Sequence, residues 1–258
     1  MPVYHTAAGT VEMLEWGEGP ELYVLLHAAA ASPQSLSALA TLLARPGRRV
    51  VAPALNRYGA TVMRDESDRL RAHLDVLGAC LDVHVAERRT LFGHSMGGLI
   101  GLLAAMEGVA FDAMALYEPI VTACLRDDVA EEAELLNWDR AIVAKADIAA
   151  FVTAWNATPW EALPANARTR LADAAPALIA DMRAVSCRSL PIDRLSEVRM
   201  PVLMLQGALS PAITHVMTAR LAALLPSARR VIVKQCGHLG PMQMPVAVAG
   251  LLASISGL

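Results

Sequence analysis

Apolar and polar positions along the chain alternate between two rhythms. Leu22-Tyr23-Val24-Leu25-Leu26 is a continuous apolar run, as in a strand buried on both faces. Arg49-Val50-Val51-Ala52, Thr90-Leu91-Phe92, Ala113–Tyr117, Val202–Gln206 and Arg230–Lys234 read the same way. Between them lie segments of helical period. Leu36, Leu39, Ala40 and Leu43 follow the helix start Ser32-Pro33-Gln34, and Leu70, Leu74, Leu77 and Leu81 mark one side of a helix over residues 61–85. Further helices are expected at Leu99–Glu107, Thr214–Leu225 and Val246–Ser256. Val3–Thr6 and Val11–Trp16, with Gly9 between them, suggest an N-terminal hairpin.

Strand and helix alternate at both ends of the chain, so the fold class is α/β, a mostly parallel sheet flanked by helices. Residues 120–199 break the alternation. They are alanine-rich and helical, cut by Pro159, Pro164, Pro176 and Pro191. We read them as a helical insertion, with residues 1–119 and 200–258 forming the core.

Composition narrows the class. Of 258 residues, 55% are hydrophobic and 18% charged, which excludes a disordered chain. Lys and Arg number 22 against 25 Asp and Glu, a net charge of −3, so nucleic acid is not an expected partner. Mean hydropathy is +0.41, yet no apolar run is long enough for a membrane span. The N-terminus has no signal-peptide pattern, and Cys80, Cys124, Cys187 and Cys236 form neither a C-x-x-C pair nor a disulfide framework. A reducing, cytoplasmic setting is the expectation. The sparse charge leaves room for apolar surface at a subunit interface or a substrate mouth.

Chemistry concentrates at Gly93-His94-Ser95-Met96-Gly97-Gly98, which follows one predicted strand and opens a helix. A serine on such a turn exposes its hydroxyl, and glycines two residues to either side remove side chains that would collide across it. The helix N-terminus adds backbone N–H groups for an oxyanion. A stray match would be a surface turn, but the strand–turn–helix setting argues for a nucleophile. The serine needs a base. Among seven histidines, His73 and His84 fall on or near the second helix and read as surface residues, while His94 sits inside the turn. His238 follows the last strand, at the sheet edge that also carries Ser95.

These residues resemble the α/β-hydrolase family. The Ser95 turn is similar to its nucleophile elbow, Leu25-Leu26-His27-Ala28 to its oxyanion loop, and Gly237-His238 to its base loop. Val50-Val51-Ala52-Pro53 and Pro201–Gly207 resemble two flanking strands. The resemblance implies a helical cap at residues 120–199 and a serine hydrolase with Ser95 as nucleophile and His238 as base. The N–H groups of Ala28 and Met96 would form the oxyanion hole. Epoxide hydrolases and haloalkane dehalogenases of this fold use an aspartate nucleophile, so Ser95 argues against both.

Two departures stand out. The usual glycine after His27 is Ala28, and the family's usual acid position holds Ser210, with no carboxylate between Glu197 and the C-terminus. Imidazole needs an acceptor on its second nitrogen, and Glu118, which ends the strand after the elbow's helix, is the best candidate. Some relatives carry their acid after this strand. The competing role for Glu118 is structural, with Ser210 or water orienting His238.

The expected substrate is a small, mainly apolar ester or related acyl compound. Tyr58, Trp138, Trp155 and Trp160 are candidate substrate contacts, although the tryptophans could equally be packing between helices. Asp127-Asp128-Val129-Ala130-Glu131-Glu132 reads as a solvated helix start. No metal or dinucleotide motif is present, so no cofactor is expected. Carbon–carbon hydrolysis, acyl transfer and perhydrolysis stay open. The alternative is a ligand-binding sensor with vestigial turnover, which the lost usual acid would fit.

Overall fold

The computed structural model describes residues 2–187 and 190–255, the side chain of Cys187 excepted. A nine-stranded sheet runs through the molecule. The antiparallel β1 (Val3–His5) and β2 (Gly9–Trp16) lead into β4 (Arg48–Pro53). From β4 the order continues through β3 (Glu21–Leu26), β6 (Arg88–His94), β7 (Ala113–Tyr117), β8 (Val202–Gly207) and β9 (Ala228–Val233), all parallel. The two-residue β5 (Val62–Met63) pairs with β2.

Alternation along the strands explains the unbroken apolar runs. Val24 and Leu26 join one core with Leu91, Met114 and Met204, while Tyr23 and Leu25 join a second core with Phe92, Ala115 and Leu205. Helices α2 (Arg69–Val83), α3 (Met96–Met106) and α7 (Ala212–Leu224) cover the first face. Helices α1 (Ser37–Leu43) and α9 (Pro245–Ile255), the latter preceded by the single-turn α8 (Gly240–Gln243), cover the second. The predicted end of the last helix, Ser256, lies outside the described residues.

Parallel register decides where chemistry can gather. Leu26 pairs with Gly93, His94 with Tyr117, Tyr117 with Leu205, and Gly207 with Val233. The strands therefore end together, and residues 27–28, 95–96, 118, 207–210 and 236–238 emerge along one edge.

Two sequence expectations need correction. The helix predicted over residues 61–85 starts only at Arg69, because Asp68 caps it: the Asp68 carboxylate accepts from Leu70 N–H and Arg71 N–H. Its histidines are not on the surface either, since His73 is 0% exposed and His84 3%. His73 lies under a later helix, and His84 is held by the Cys80 carbonyl and the Glu15 carboxylate.

Between β7 and β8 the described residues contain no strand. They form α4 (Ala130–Lys145), α5 (Ile148–Asn156) and α6 (Ala165–Cys187), with the 3₁₀ turn Trp160–Ala162 between α5 and α6, and α6 continues through Pro176, against the expectation that this residue cuts it. The acidic stretch before α4 is only partly solvated: Glu132 is buried, pairs with Arg220 and accepts from Arg126 N–H. Among the described residues no helix is long and apolar enough to cross a membrane.

Candidate active site

Ser95 sits where β6 becomes α3, with φ 54° and ψ −112°. That left-handed backbone is costly for a non-glycine residue and persists only where its surroundings enforce it. The enforcement is visible. Ser95 N–H donates to the Tyr117 carbonyl at 2.9 Å, and the Ser95 carbonyl accepts from Gly98, Leu99 and Ile120 N–H groups. A Cβ on Gly93 would lie 2.6 Å from the Gly97 carbonyl oxygen, and one on Gly97 would lie 2.3 Å from that of Leu26. Both glycines are thus steric requirements of the turn. As the first residue of α3, Met96 has an N–H with no acceptor inside the helix.

The loop after β3, the neighbour of β6 in the sheet, carries His27. His27 is fully buried and held at both ring nitrogens: Nδ1–H donates to the Ala28 carbonyl at 2.7 Å, and Nε2 accepts from Leu55 N–H at 3.0 Å. Burial pushes its pKa down to about 4, so the ring stays neutral in one tautomer. In the Ala28–Ala31 run the positive φ falls at Ala30, at 56°, and not at Ala28. Alanine therefore carries no left-handed strain at Ala28, the position of the departure.

Glu118 follows β7, is 1% exposed and also has a positive φ, 45°. Its backbone N–H donates to the Leu205 carbonyl of β8 at 3.0 Å. Oε1 accepts from Gly207 N–H at 2.7 Å and from the Ser210 hydroxyl. Oε2 accepts from His238 Nδ1–H at 2.7 Å. The structure brings Glu118, Ser210 and His238 together, with the serine serving the carboxylate and not the imidazole.

Neighbours hold the His238 loop. The Tyr117 hydroxyl donates to the Gly237 carbonyl at 2.7 Å, and His94 Nε2–H donates to the His238 carbonyl at 2.8 Å. Burial, and next the adjacent His238, keep the His94 pKa well below the usual imidazole value, so it acts as a neutral donor. Tyr117 and His94 pair across β6 and β7, so one rung of the sheet carries both supports. The sequence signal for this was the direct adjacency of each to a candidate residue. With Nδ1 bound to Glu118, Nε2 is the His238 nitrogen left for chemistry.

The substrate candidates fall in different places. The Tyr58 hydroxyl is committed: it donates to Asp181 Oδ2 of α6 at 2.7 Å and is buried. Trp155 of α5 is 2% exposed, and its ring centroid lies 5.3 Å from that of His238. Trp138 of α4 packs on Trp155 at 5.8 Å, while Trp160 is half-buried in the 3₁₀ turn Trp160–Ala162. Among the described residues no cluster of His, Cys, Asp and Glu is arranged to hold a metal ion.

A family model for the alpha/beta hydrolase family matches residues 23–251. No curated protein matches the sequence. Several solved structures share the fold across nearly the whole chain. An alpha/beta hydrolase from Sphaerobacter thermophilus is 20% identical with TM-score 0.72, covering 98% of this chain and 99% of its own. The enol-lactonase from Burkholderia xenovorans is 16% identical with TM-score 0.76, covering 100% of both chains. A bromoperoxidase from Bacillus anthracis is 15% identical with TM-score 0.76, covering 97% of this chain and 96% of its own.

Proposed function

The chain belongs to the alpha/beta hydrolase family, and from that premise we propose that it is a serine hydrolase acting on a small, mainly apolar ester or related acyl compound. The neighbours' names span different reactions, so the fold alone does not choose among them. The observation that carries the reading is the 2.7 Å bond from Glu118 to His238 Nδ1, on the edge where Ser95 stands on its strained turn.

In this reading Ser95 Oγ attacks the carbonyl carbon and passes its proton to His238 Nε2. Glu118 stabilises the imidazolium through Nδ1–H. The tetrahedral oxyanion is held by the N–H groups of Ala28 and Met96. His238 then protonates the leaving oxygen, an acyl-enzyme forms on Ser95, and water activated by His238 releases the acid. Trp155 and Trp138, with Phe151 at 6.0 Å from Trp155, support an apolar substrate, because aromatic linings are favoured at such clefts. Residues 120–199 act as the cap in this reading. The buried free thiols Cys80, Cys124 and Cys236 support a reducing, cytoplasmic setting.

The test is labelling by a fluorophosphonate, followed by a panel of short-chain and aromatic acyl esters. Stoichiometric labelling that Ser95→Ala abolishes, with turnover of at least one ester class, is the expected result. No labelling at high probe excess would sink the reading and favour a non-catalytic ligand binder.

A further inference from the structure

Trp155 carries a feature that packing alone does not explain. Its ring is enclosed by Trp138, Phe151 and the His238 imidazole, the last tilted at 52°. Its Nε1–H is buried from solvent and has no acceptor among the described residues. A buried indole N–H usually finds a partner, and leaving one unpaired is unfavourable. A phenylalanine would fill an apolar wall without that cost.

The position of the indole suggests what the donor is for. In an acyl transfer of the kind proposed above, His238 returns its proton to the leaving group, so that half of the substrate must pass beside the imidazole. A side chain packed against His238 therefore borders the leaving group. We propose that Trp155 Nε1–H is a specificity determinant: it donates to an oxygen in the alcohol half of the substrate, beyond the scissile oxygen. The preferred substrates are then esters whose alcohol carries an ether, carbonyl or hydroxyl oxygen, in an otherwise apolar pocket. This rests on the hydrolase reading.

An isosteric pair tests it: 2-methoxyethyl acetate against n-butyl acetate, which differ by one ether oxygen in place of a methylene. The wild-type ratio of kcat/KM for the two esters should exceed that of Trp155→Phe by about tenfold, the worth of one buried hydrogen bond. Trp155→Phe keeps an aromatic ring and removes the N–H. Because each ratio is taken within one protein, partial loss of fold cancels. The same ratio in both proteins overturns the proposal. If neither ester is hydrolysed there is no kcat/KM ratio to compare, and if Ser95 also resists the fluorophosphonate the hydrolase reading fails. The donor is then judged by Kd for the same two esters, measured by ligand-observed NMR in Ser95→Ala and in Ser95→Ala with Trp155→Phe. Tighter binding of the ether that disappears with Trp155→Phe upholds the donor, and equal Kd ratios reject it.

Discussion

Glu118 and Asp181 are both buried carboxylates hydrogen-bonded to a buried histidine, yet their surroundings differ. Glu118 accepts from Gly207 N–H, the Ser210 hydroxyl and His238 Nδ1–H, and among the described residues no arginine or lysine pairs with it. Asp181 accepts from the Tyr58 hydroxyl, from Arg69 Nε at 2.6 Å and from His73 Nε2–H at 3.0 Å. His73 Nδ1 meanwhile accepts from Asn56 N–H at 3.1 Å, so both of its ring nitrogens are occupied. Burial pushes the Asp181 carboxyl up, but the His73 bond and the charge of Arg69 outweigh it and hold its pKa below the usual value. A fixed cation already satisfies Asp181. Glu118 accepts from a backbone N–H, a hydroxyl and a ring whose other nitrogen has no hydrogen bond among the described residues, so in the proposed reaction a charge developing on His238 would meet this carboxylate. A carboxylate–histidine pair makes a clamp in one place and a candidate relay in the other.

Substitutions should separate the two. Glu118→Gln keeps the shape but removes the charge, and kcat should fall about 10²- to 10⁴-fold. Tm should stay within a few degrees, and steady-state kinetics with a good ester beside a thermal melt checks both. Unchanged turnover would place the relay elsewhere. Asp181→Ala should invert the pattern. It leaves Arg69 and His73 without their shared partner, costing about 3–5 kcal/mol, roughly 10 °C in Tm. Fluorophosphonate labelling of the protein that remains folded should stay within about tenfold of wild type. The sign with pH follows from the lowered pKa: this stabilisation is present above the unfolded value near 3.8 and fades as pH drops through the folded one. Denaturant titrations of wild type and variant should therefore converge in acid.

A third buried carboxylate, with no hydrogen-bond partner among the described residues, sharpens the contrast. Asp139 of α4 is 3% exposed, its Oδ1 is unpaired among the described residues, and burial pushes its pKa up to about 6. Its ionisation therefore opposes folding as pH rises from about 4 through about 6. Asp139→Asn should stabilise by about 3 kcal/mol at pH 8, with the gain gone near pH 4. A gain independent of pH would contradict this account. The smallest effect is expected for Ser210→Ala. Glu118 keeps Gly207 N–H and His238, so kcat should change by only a few-fold.

The strands were legible because burial on both sheet faces writes itself as unbroken apolar runs. Ser95 was legible because its strained turn demands glycines at fixed spacing. Glu118 came from what was missing after β8, together with the position of a strand end. What stayed hidden depends on partners far along the chain. His73 meets Asp181 across 108 residues, and a helical pattern cannot announce that a later helix covers it. The start of α2 was misplaced because Leu70 and its successors set the period, while the capping Asp68 looked like any surface carboxylate. The contact of Trp155 with His238 likewise joins residues far apart in the chain.

The Asp181 clamp also has a mechanical side. From Ala165 to Asp181 helix α6 runs for roughly 24 Å, at about 1.5 Å per residue. Pro176 falls inside that span and removes one bond from the helical ladder, so the clamp fixes only the arm on its own side of the proline. A bend of about 10° there carries Ala165, roughly 16 Å away, by about 3 Å. Stiffness at Tyr58, Arg69 and His73 thus governs the short arm of α6, and the proline governs the long one.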